Sequence, residues 1–597
     1  MQNSNPSYLN IPKQSLSTLT FCDPTAKQIK AWVESLPMAN IGETSRQLYH
    51  AVIEFNQLNI PDASRLELMD LVRGPIHFIC GQLNQRYLNQ TVVLDERQRK
   101  VANLAQALQT HLAVGYKIII QHTLNQNSTR HKALLGKAIH RTMHELMPAV
   151  LRSYQLYIQT PRGIWQEIHQ LYQIASSFNI QYEVINDPVE NTHLSIQHAY
   201  IKTILLGACQ PNQLLQRELN EAFETLGQWA THLKIDEVAN EKSVLIINPE
   251  TDGAPQYRYL VQTSNVSDYI GINTLSLVHK LHNDHKALSA EDRTVKSLIV
   301  PDDFSLSLLK HLIQAWGGMK QRSFSRTPAG GNVRIAVGLT ATHHHISGGV
   351  SFYSQLYGSS ASTPSQNPFT GETGKRFVAS DTQAVRASHD VWEDAYDVDH
   401  QVSGLASDGI EFSKEANSSE QPPSYQGQLV NVSPRGYCIQ WSESPAPNLK
   451  TGEVIAIKEE KLQHWNLGIV RWIRQGAEYG AQIGVELLAP NSRSCGIRQL
   501  HKTGVPGDYL RALYIPEIRA IGQDASVITS LRPFNIGNKV SINLDGIDTK
   551  FQLTKRVTST GIISQFQIRP VAKKPLENTR SKTTDETDDF DNLWRQL

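Results

Sequence analysis

The 597 residues carry 57 Lys and Arg against 56 Asp and Glu and are 40% hydrophobic. That is ample apolar material for several cores and, at about 150 residues per domain, for about four domains. A near-zero net charge argues against a bulk nucleic-acid coat or a generally basic membrane binder, because both need an excess of Lys and Arg.

Met1 to Asn10 is polar, with no basic and then apolar leader, and no window reaches the ~20 apolar residues that cross a bilayer. A cytosolic protein without membrane insertion is expected. Five scattered cysteines (Cys22, Cys80, Cys209, Cys438, Cys495) form neither a disulfide framework nor a zinc pairing. Residues 1–23 read as a tail, and 24–237 as an all-helical scaffold domain. Leu48, Val52, Phe55 and Leu58 share one face at helical spacing, as do Val101, Leu104, Leu108, Leu112, Tyr116 and Ile119. Asn59-Ile60-Pro61-Asp62 is a stop and restart ahead of a helix with Leu66, Met69 and Val72. Thr160-Pro161 opens a helix whose Trp165, Ile168, Leu171, Tyr172 and Ile174 are spaced like the start of a tetratricopeptide helix. No period of about 34 residues follows, so the expectation is a helical bundle or array.

Residues 238–320 read as a small α+β connector. Val244 to Ile247 is a short apolar run stopped by Asp252-Gly253, with Tyr257 to Gln262 as a partner strand. Helices are expected over Ile272–Leu281 and Phe304–Trp316, the second capped by Asp302 or Asp303. Strands then dominate 321–500. Val333, Ile335, Val337 and Leu339 alternate, as do Tyr437, Ile439 and Trp441, and Ile483, Val485 and Leu487. Within this stretch, 351–424 is rich in Ser, Gly, Asp and Gln and poor in aliphatics, which predicts a disordered, mobile insertion. A β extension is expected over 501–572, where Val540, Ile542 and Leu544 lead through Asp545-Gly546 into Ile547, Thr549, Phe551 and Leu553, a hairpin pattern. An acidic flexible tail, 573–597, ends in Phe590, Leu593, Trp594 and Leu597 at i, i+3, i+4 and i+7. This is one face of a short helix suited to a partner's groove, with Asp588 or Asp589 to cap it.

The segments that carry chemistry are Arg322-Ser323-Phe324-Ser325-Arg326-Thr327-Pro328, an RxxxR ahead of a strand, and Asn431-Val432-Ser433-Pro434-Arg435-Gly436, an NxSxxG between two strands. Leu467 to Arg474 and Ile483 to Leu487 follow. In this order, over about 90 residues, they resemble the PilZ domain, the bacterial β-barrel receptor for cyclic di-GMP. That ligand is a dianion with two flat guanines, and arginine both grips phosphate bidentately and stacks on a base. The resemblance implies that Arg322 and Arg326 close over the ligand and that Asn431 and Ser433 address a guanine edge. It further implies that Gly436 lets the backbone approach and that Arg435 adds a contact. Asn in place of the commoner Asp keeps an acceptor and adds a donor. The motifs stand further apart than in ordinary PilZ domains, which a flexible insertion tolerates at ~0.6 kcal/mol per doubling of its length. The competing reading is a non-binding, degenerate PilZ scaffold with Arg322 and Arg326 as solvated linker charges.

Other features read as structural. His343, His344 and His345, taken on a strand, point to alternate faces and lack further ligands at metal spacing, so no metal site is expected. Asp390, Glu393, Asp394, Asp397 and Asp399 form a solvated acidic run, and Arg471 and Arg474 are strand-edge charges. No nucleotide-phosphate loop, nucleophile elbow or zinc-protease motif is present, so neither an enzyme nor a resident cofactor is expected. The chain thus reads as a multidomain α+β protein with a helical N-terminal bundle, a small α+β connector and a C-terminal PilZ-like antiparallel β-barrel with an inserted loop and a β extension. It would bind cyclic di-GMP and pass occupancy to protein partners in motility, pilus or biofilm control, recruited through a partner to a cell pole or membrane complex. Nucleic-acid binding is disfavoured by the neutral charge and by the lack of aromatics interleaved with Lys and Arg.

Overall fold

A computed structural model describes residues 9–126, 131–261, 266–289, 299–301, 303–318, 326–358, 421–441, 445–460, 462, 464–476, 480–489, 491–500, 507–517 and 523–571. The helical periodicity is realised in α1 (Ala26–Ser35), α2 (Ile41–Gln57), α3 (Asp62–Tyr87), α4 (Glu96–Gln126), α5 (Lys132–Gln155) and α6 (Ile164–Ser177). A hairpin of β1 (Val184–Asp187) and β2 (Thr192–Ser195) leads into α7 (Ile196–Ala208) and α8 (Gln216–Ala230). The apolar face of α2, Leu48, Val52 and Phe55, is buried, as are Leu108, Leu112, Tyr116 and Ile119 of α4. Helix α6 starts later than Thr160-Pro161 suggests, at Ile164 after a left-handed Gly163. Its N-terminus is capped from far away in sequence. The Asp252 carboxylate accepts from the backbone N–H of Gly163 at 2.6 Å and of Trp165 at 3.1 Å, satisfying donors that the helix itself cannot.

The connector forms a sheet in the order β3-β6-β4-β5, from β3 (Ile235–Asp236), β4 (Leu245–Ile247), β5 (Gln256–Tyr257) and β6 (Ile270–Ile272), followed by α9 (Leu275–Ser289) and α10 (Leu306–Trp316). Ile272 ends a strand rather than opening a helix, and Ser305 caps α10, its side chain accepting from Leu308 N. The connector does not build a separate core. Leu245, Ile247, Leu309 and Trp316 join the same buried cluster as the helical domain, and the Trp316 indole donates to Leu205 O at 3.1 Å.

The first barrel contains β7 (Thr327–Pro328), β8 (Asn332–Val337), β9 (Tyr425–Ser433), β10 (Gly436–Trp441), β11 (Val454–Glu459), β12 (Asn466–Gly476) and β13 (Gly480–Ala489), with α11 (Leu339–Ile346) and α12 (Phe352–Tyr357) between β8 and β9. Strands β8, β9, β10, β13, β12 and β11 pair in a ring that returns to β8, and β7 is added along β9. Val333, Ile335, Ile439, Ile455, Ile457, Val470, Ile473 and Ile483 fill the interior, as the alternation predicts. Leu339 does not continue β8: Gly338, at φ +88°, turns the chain into α11. His343, His344 and His345 therefore lie on a helix, not a strand, and two of them are committed to backbone. His343 Nε2 lies 3.2 Å from Cys495 O, and His345 Nε2 lies 3.1 Å from Pro422 O.

The second barrel is closed in the order β14-β15-β16-β19-β18-β17, from β14 (Arg493–Gln499), β15 (Leu510–Ile515), β16 (Ser526–Ser530), β17 (Lys539–Leu544), β18 (Ile547–Ser559) and β19 (Ile563–Pro570). The expected β extension is thus a barrel in its own right, and β14 belongs to it. Asp545 and Gly546 both take positive φ, the two-residue hairpin geometry their sequence favours.

The insertion begins later than its composition suggests. Residues 352–357 are helix α12, where Leu356 is buried and Gln355 donates to Ser494 O at 2.7 Å, fastening the segment to the second barrel. Residues 359–420, with the acidic run, lie outside the described residues, as do 572–597 with Phe590, Leu593, Trp594 and Leu597. Replacing 359–420 by a short Gly/Ser linker is expected to leave the melting temperature within about 2 °C. Extending the deletion back to 355 removes the α12 anchor and should lower it by several degrees, as read by circular dichroism.

Between the barrels a cavity of about 450 Å³ is lined by Leu339, Pro423, Tyr425, Glu453, Ser530 and Ile563. Burial raises the Glu453 carboxyl to about 7, opposed by the Val454 N–H that it accepts and by Lys450. A carboxyl raised in the folded state holds its proton more tightly there than in the unfolded chain. Stability is therefore greatest at or below the ordinary glutamate range, falls as pH rises to about 7 and is level above that. The loss at pH 8 is on the order of 3 kcal/mol. Glu453→Gln should flatten this slope, measurable as the unfolding midpoint at pH 5 and pH 8; an unchanged slope would assign it to another group.

Candidate ligand platform on the first barrel

The NxSxxG segment forms the tight β9–β10 hairpin. Ser433 pairs with Gly436 across the turn, and the Ser433 hydroxyl donates to Gly436 O at 3.2 Å. One extra residue, Val430, sits in β9 where Cys438 faces Asn431 and Ile439 faces Leu429. This bulge changes the alternation, so that Leu429 and Val432 pack into the barrel while Asn431 and Ser433 face outward. The Asn431 amide is half-buried and makes no side-chain hydrogen bond among the described residues.

Strand β7 pairs with this same segment, Thr327 with Val432 and Pro328 with Asn431, which sets the exposed Arg326 at the entrance to the hairpin. Its charge reaches the outer face of β10. Burial raises the Cys438 thiol, and the Arg326 guanidinium opposes that rise. The structure thus brings Arg326, Asn431, Ser433 and Gly436 together across some hundred residues of sequence. Arg322 lies outside the described residues. Arg435 is exposed in the turn, and its carbonyl accepts from Leu487 N at 2.9 Å, tying the hairpin to β13.

Glycine at 436 meets a demand of the fold besides the expected ligand approach. A Cβ there would lie 2.2 Å from Val485 O, so the position is glycine because β13 passes against it. Gly484 of β13, paired with Cys438, has a similar role: a Cβ would lie 1.9 Å from Trp472 Nε1 and 2.1 Å from Trp472 Cε2. The half-buried indole of Trp472 lies over this glycine, so one outward row runs Asn431, Cys438, Gly484, Trp472 across four strands. Sequence reasoning did not single out Trp472; its signal is an aromatic cross-strand from a glycine. Arg471 is the extra residue of a second bulge, and its Nε lies 2.5 Å from Glu486 Oε2, so it is an ion-paired neighbour of Gly436 rather than a plain strand-edge charge.

A closed six-stranded antiparallel barrel, with an NxSxxG hairpin on its outer face and an arginine-bearing strand paired alongside, is the architecture of a PilZ-type domain. Residues 27–240 match the family described as cyclic-di-GMP receptor FimW, N-terminal domain; 244–494 match its middle PilZ domain; and 495–571 match the FimW C-terminal beta-barrel domain. The cyclic-di-GMP receptor FimW of Pseudomonas aeruginosa is 36% identical over 625 aligned residues, covering 100% of both chains. No solved structure matches. The chain belongs to the FimW family.

Gly436→Ala should cost about 1–3 kcal/mol by forcing β10 off β13. A lower denaturation midpoint, with ligand binding lost in proportion to unfolding, is expected. Unchanged stability would place the demand for glycine elsewhere.

Proposed function

We propose that this protein binds cyclic di-GMP on the outer face of its first barrel and passes occupancy to protein partners. The observation that carries the reading is the pairing of β7 with β9, which sets Arg326 beside Asn431 and Ser433. Arg326, joined by Arg322 from the preceding residues, grips the phosphates and covers a base; the Asn431 amide and Ser433 hydroxyl read a guanine edge, with Arg435 at the rim. The Trp472 indole offers a second guanine a flat surface. The identity of the FimW relative as a cyclic-di-GMP receptor supports the same ligand here.

Strand β12 gives occupancy a route out of the site. Trp472 lies on it, and three residues further Gln475 bonds the helical domain through Tyr157 O at 2.8 Å, Leu156 O at 2.7 Å and Val92 O at 2.6 Å. The proposal further assigns the helical domain and the Phe590, Leu593, Trp594 and Leu597 face to partner contacts in pilus, motility or biofilm control, in the cytoplasm at a pole or membrane complex. Among the described residues no helix is long and apolar enough to cross a membrane.

Calorimetric titration with cyclic di-GMP, against GTP and cyclic AMP, tests the reading. Arg326→Ala should weaken binding by about one to two decades, the worth of a charge-assisted contact of ~1.5–3 kcal/mol, without changing the melting temperature. No heat from the wild type at high micromolar ligand would leave the barrel as a scaffold.

A further inference from the structure

The helical domain buries a polar cluster that the ligand platform does not use. His140 and His144 lie one turn apart on α5, their rings stacked with centroids 4.3 Å apart, and Asp187 at the end of β1 faces them. All three are buried, at 0%, 3% and 0% exposure. Among the described residues His140 Nε2 and His144 Nε2 lack a hydrogen-bond partner, a costly state for two buried polar atoms in one place, and Asp187 Oδ2 is met by the Arg141 charge at 2.8 Å without a hydrogen bond. Taking one ligand atom from each residue, the set lies within 4.8 Å of one another.

We propose that His140, His144 and Asp187 hold a divalent transition-metal ion of the zinc class. Two imidazoles at i, i+4 present their nitrogens to one side of a helix, and a carboxylate from a second element completes a three-ligand set with N/O donors suited to zinc. Burial, reinforced by neighbouring cations, keeps both imidazoles neutral at pH 7, the ligating form, with His140 lowered to about 4 and His144 well below its ordinary value. The surroundings resemble an outer ligand shell. Arg73 Nη1 holds Asp187 Oδ1 at 2.5 Å, orienting the carboxylate, and Arg73 Nε is itself held by Glu145 at 2.6 Å.

The ion also has to satisfy charge and tautomer. Asp70, Glu145, Asp187 and Glu190 are met by Arg73, Arg141 and Lys137, by His77, raised to about 9 against its own burial, and by the buried Lys202. A divalent cation can take over that role as His77 and Lys202 give up protons. Arg141 Nη1 lies 2.8 Å from Asp187 Oδ2 but out of line for a hydrogen bond, and 3.4 Å from His140 Nδ1. Ligation through His140 Nε2 places the ring proton on Nδ1, so this long contact opens while Arg141 keeps Asn186 O at 3.1 Å. The net step is exchange of protons on His77 and Lys202 for one metal ion, with no redox change.

The test uses the full chain, produced with zinc in the medium, passed over a chelating resin and analysed for metal by mass spectrometry, then reloaded with cobalt(II). The expected result is about one zinc per chain and, with cobalt, the visible absorption of a low-symmetry four-coordinate nitrogen and oxygen site. His140→Gln and His144→Gln should each lower retention at least about tenfold, while His122→Gln, a partly exposed histidine paired with Asp62, should not. The cobalt spectrum of the wild type decides the matter even if a variant fails to fold. Substoichiometric zinc with no visible cobalt band would overturn the proposal and assign the three atoms to a buried water. Full retention in both glutamine variants would overturn it as well.

Discussion

The assembly depends on one turn. Between α5 and α6 the chain passes through Tyr157 at φ +56°, a conformation costly for a bulky side chain. What holds it there is the first barrel. Tyr157 and Val92 from the helical domain are members of that barrel's own buried cluster, and the Tyr157 hydroxyl reaches back to Leu214 O at 2.9 Å. Gln475 at the end of β12 closes the joint with its backbone N–H and its side chain. A strained tyrosine plugging a barrel favours one relative placement of two domains, because its ring loses the barrel core and its carbonyl loses the Gln475 N–H if they separate.

That joint gives the outer face of the barrel its consequence. The strand whose far end is clamped by the helical domain carries Arg471 and Trp472, and Arg471 occupies a bulge, the kind of local irregularity that re-aims side chains at functional sites. The second barrel adds a fixed wall on another side. Arg217 of α8 donates to Gly561 O at 2.8 Å, and Thr560 Oγ1 donates to Gly452 O at 2.6 Å. Three units therefore meet around the base of β11 and β12.

Charge is used locally. An overall balance of 57 cationic against 56 anionic residues hides an exposed Arg326 that, among the described residues, has no ion-pair partner and is set beside an amide with no side-chain hydrogen bond. It also hides the buried ionic cluster around Arg73, Arg141, Glu145 and Asp187, which crosses from α3 and α5 to β1. Burying ions is costly unless every one is met, so this cluster ties its elements to one arrangement while leaving two imidazole nitrogens without a hydrogen bond among the described residues.

Period and local motif in the sequence determined the elements: the helical stripe of α2, the alternation of β8 and β10, the Asp545-Gly546 hairpin and the NxSxxG turn were all legible, because each depends on neighbours a few residues away. The placement of Arg326 beside the NxSxxG hairpin was legible too, since the two segments resemble a known family in composition and order, while Arg322 lies outside the described residues. Long-range contact decided the rest. Gly338 could end β8 and start α11 only because α11 packs on the strands around it; Asp252 caps α6 from a hairpin 87 residues on; and Gly436 and Gly484 are explained by the backbone and indole that press on them. His140 and His144 gave no signal without Asp187, which arrives from another element. Spacing along the chain encodes periodicity, but which distant groups meet is set by packing of the whole core, and that information is spread over the entire sequence.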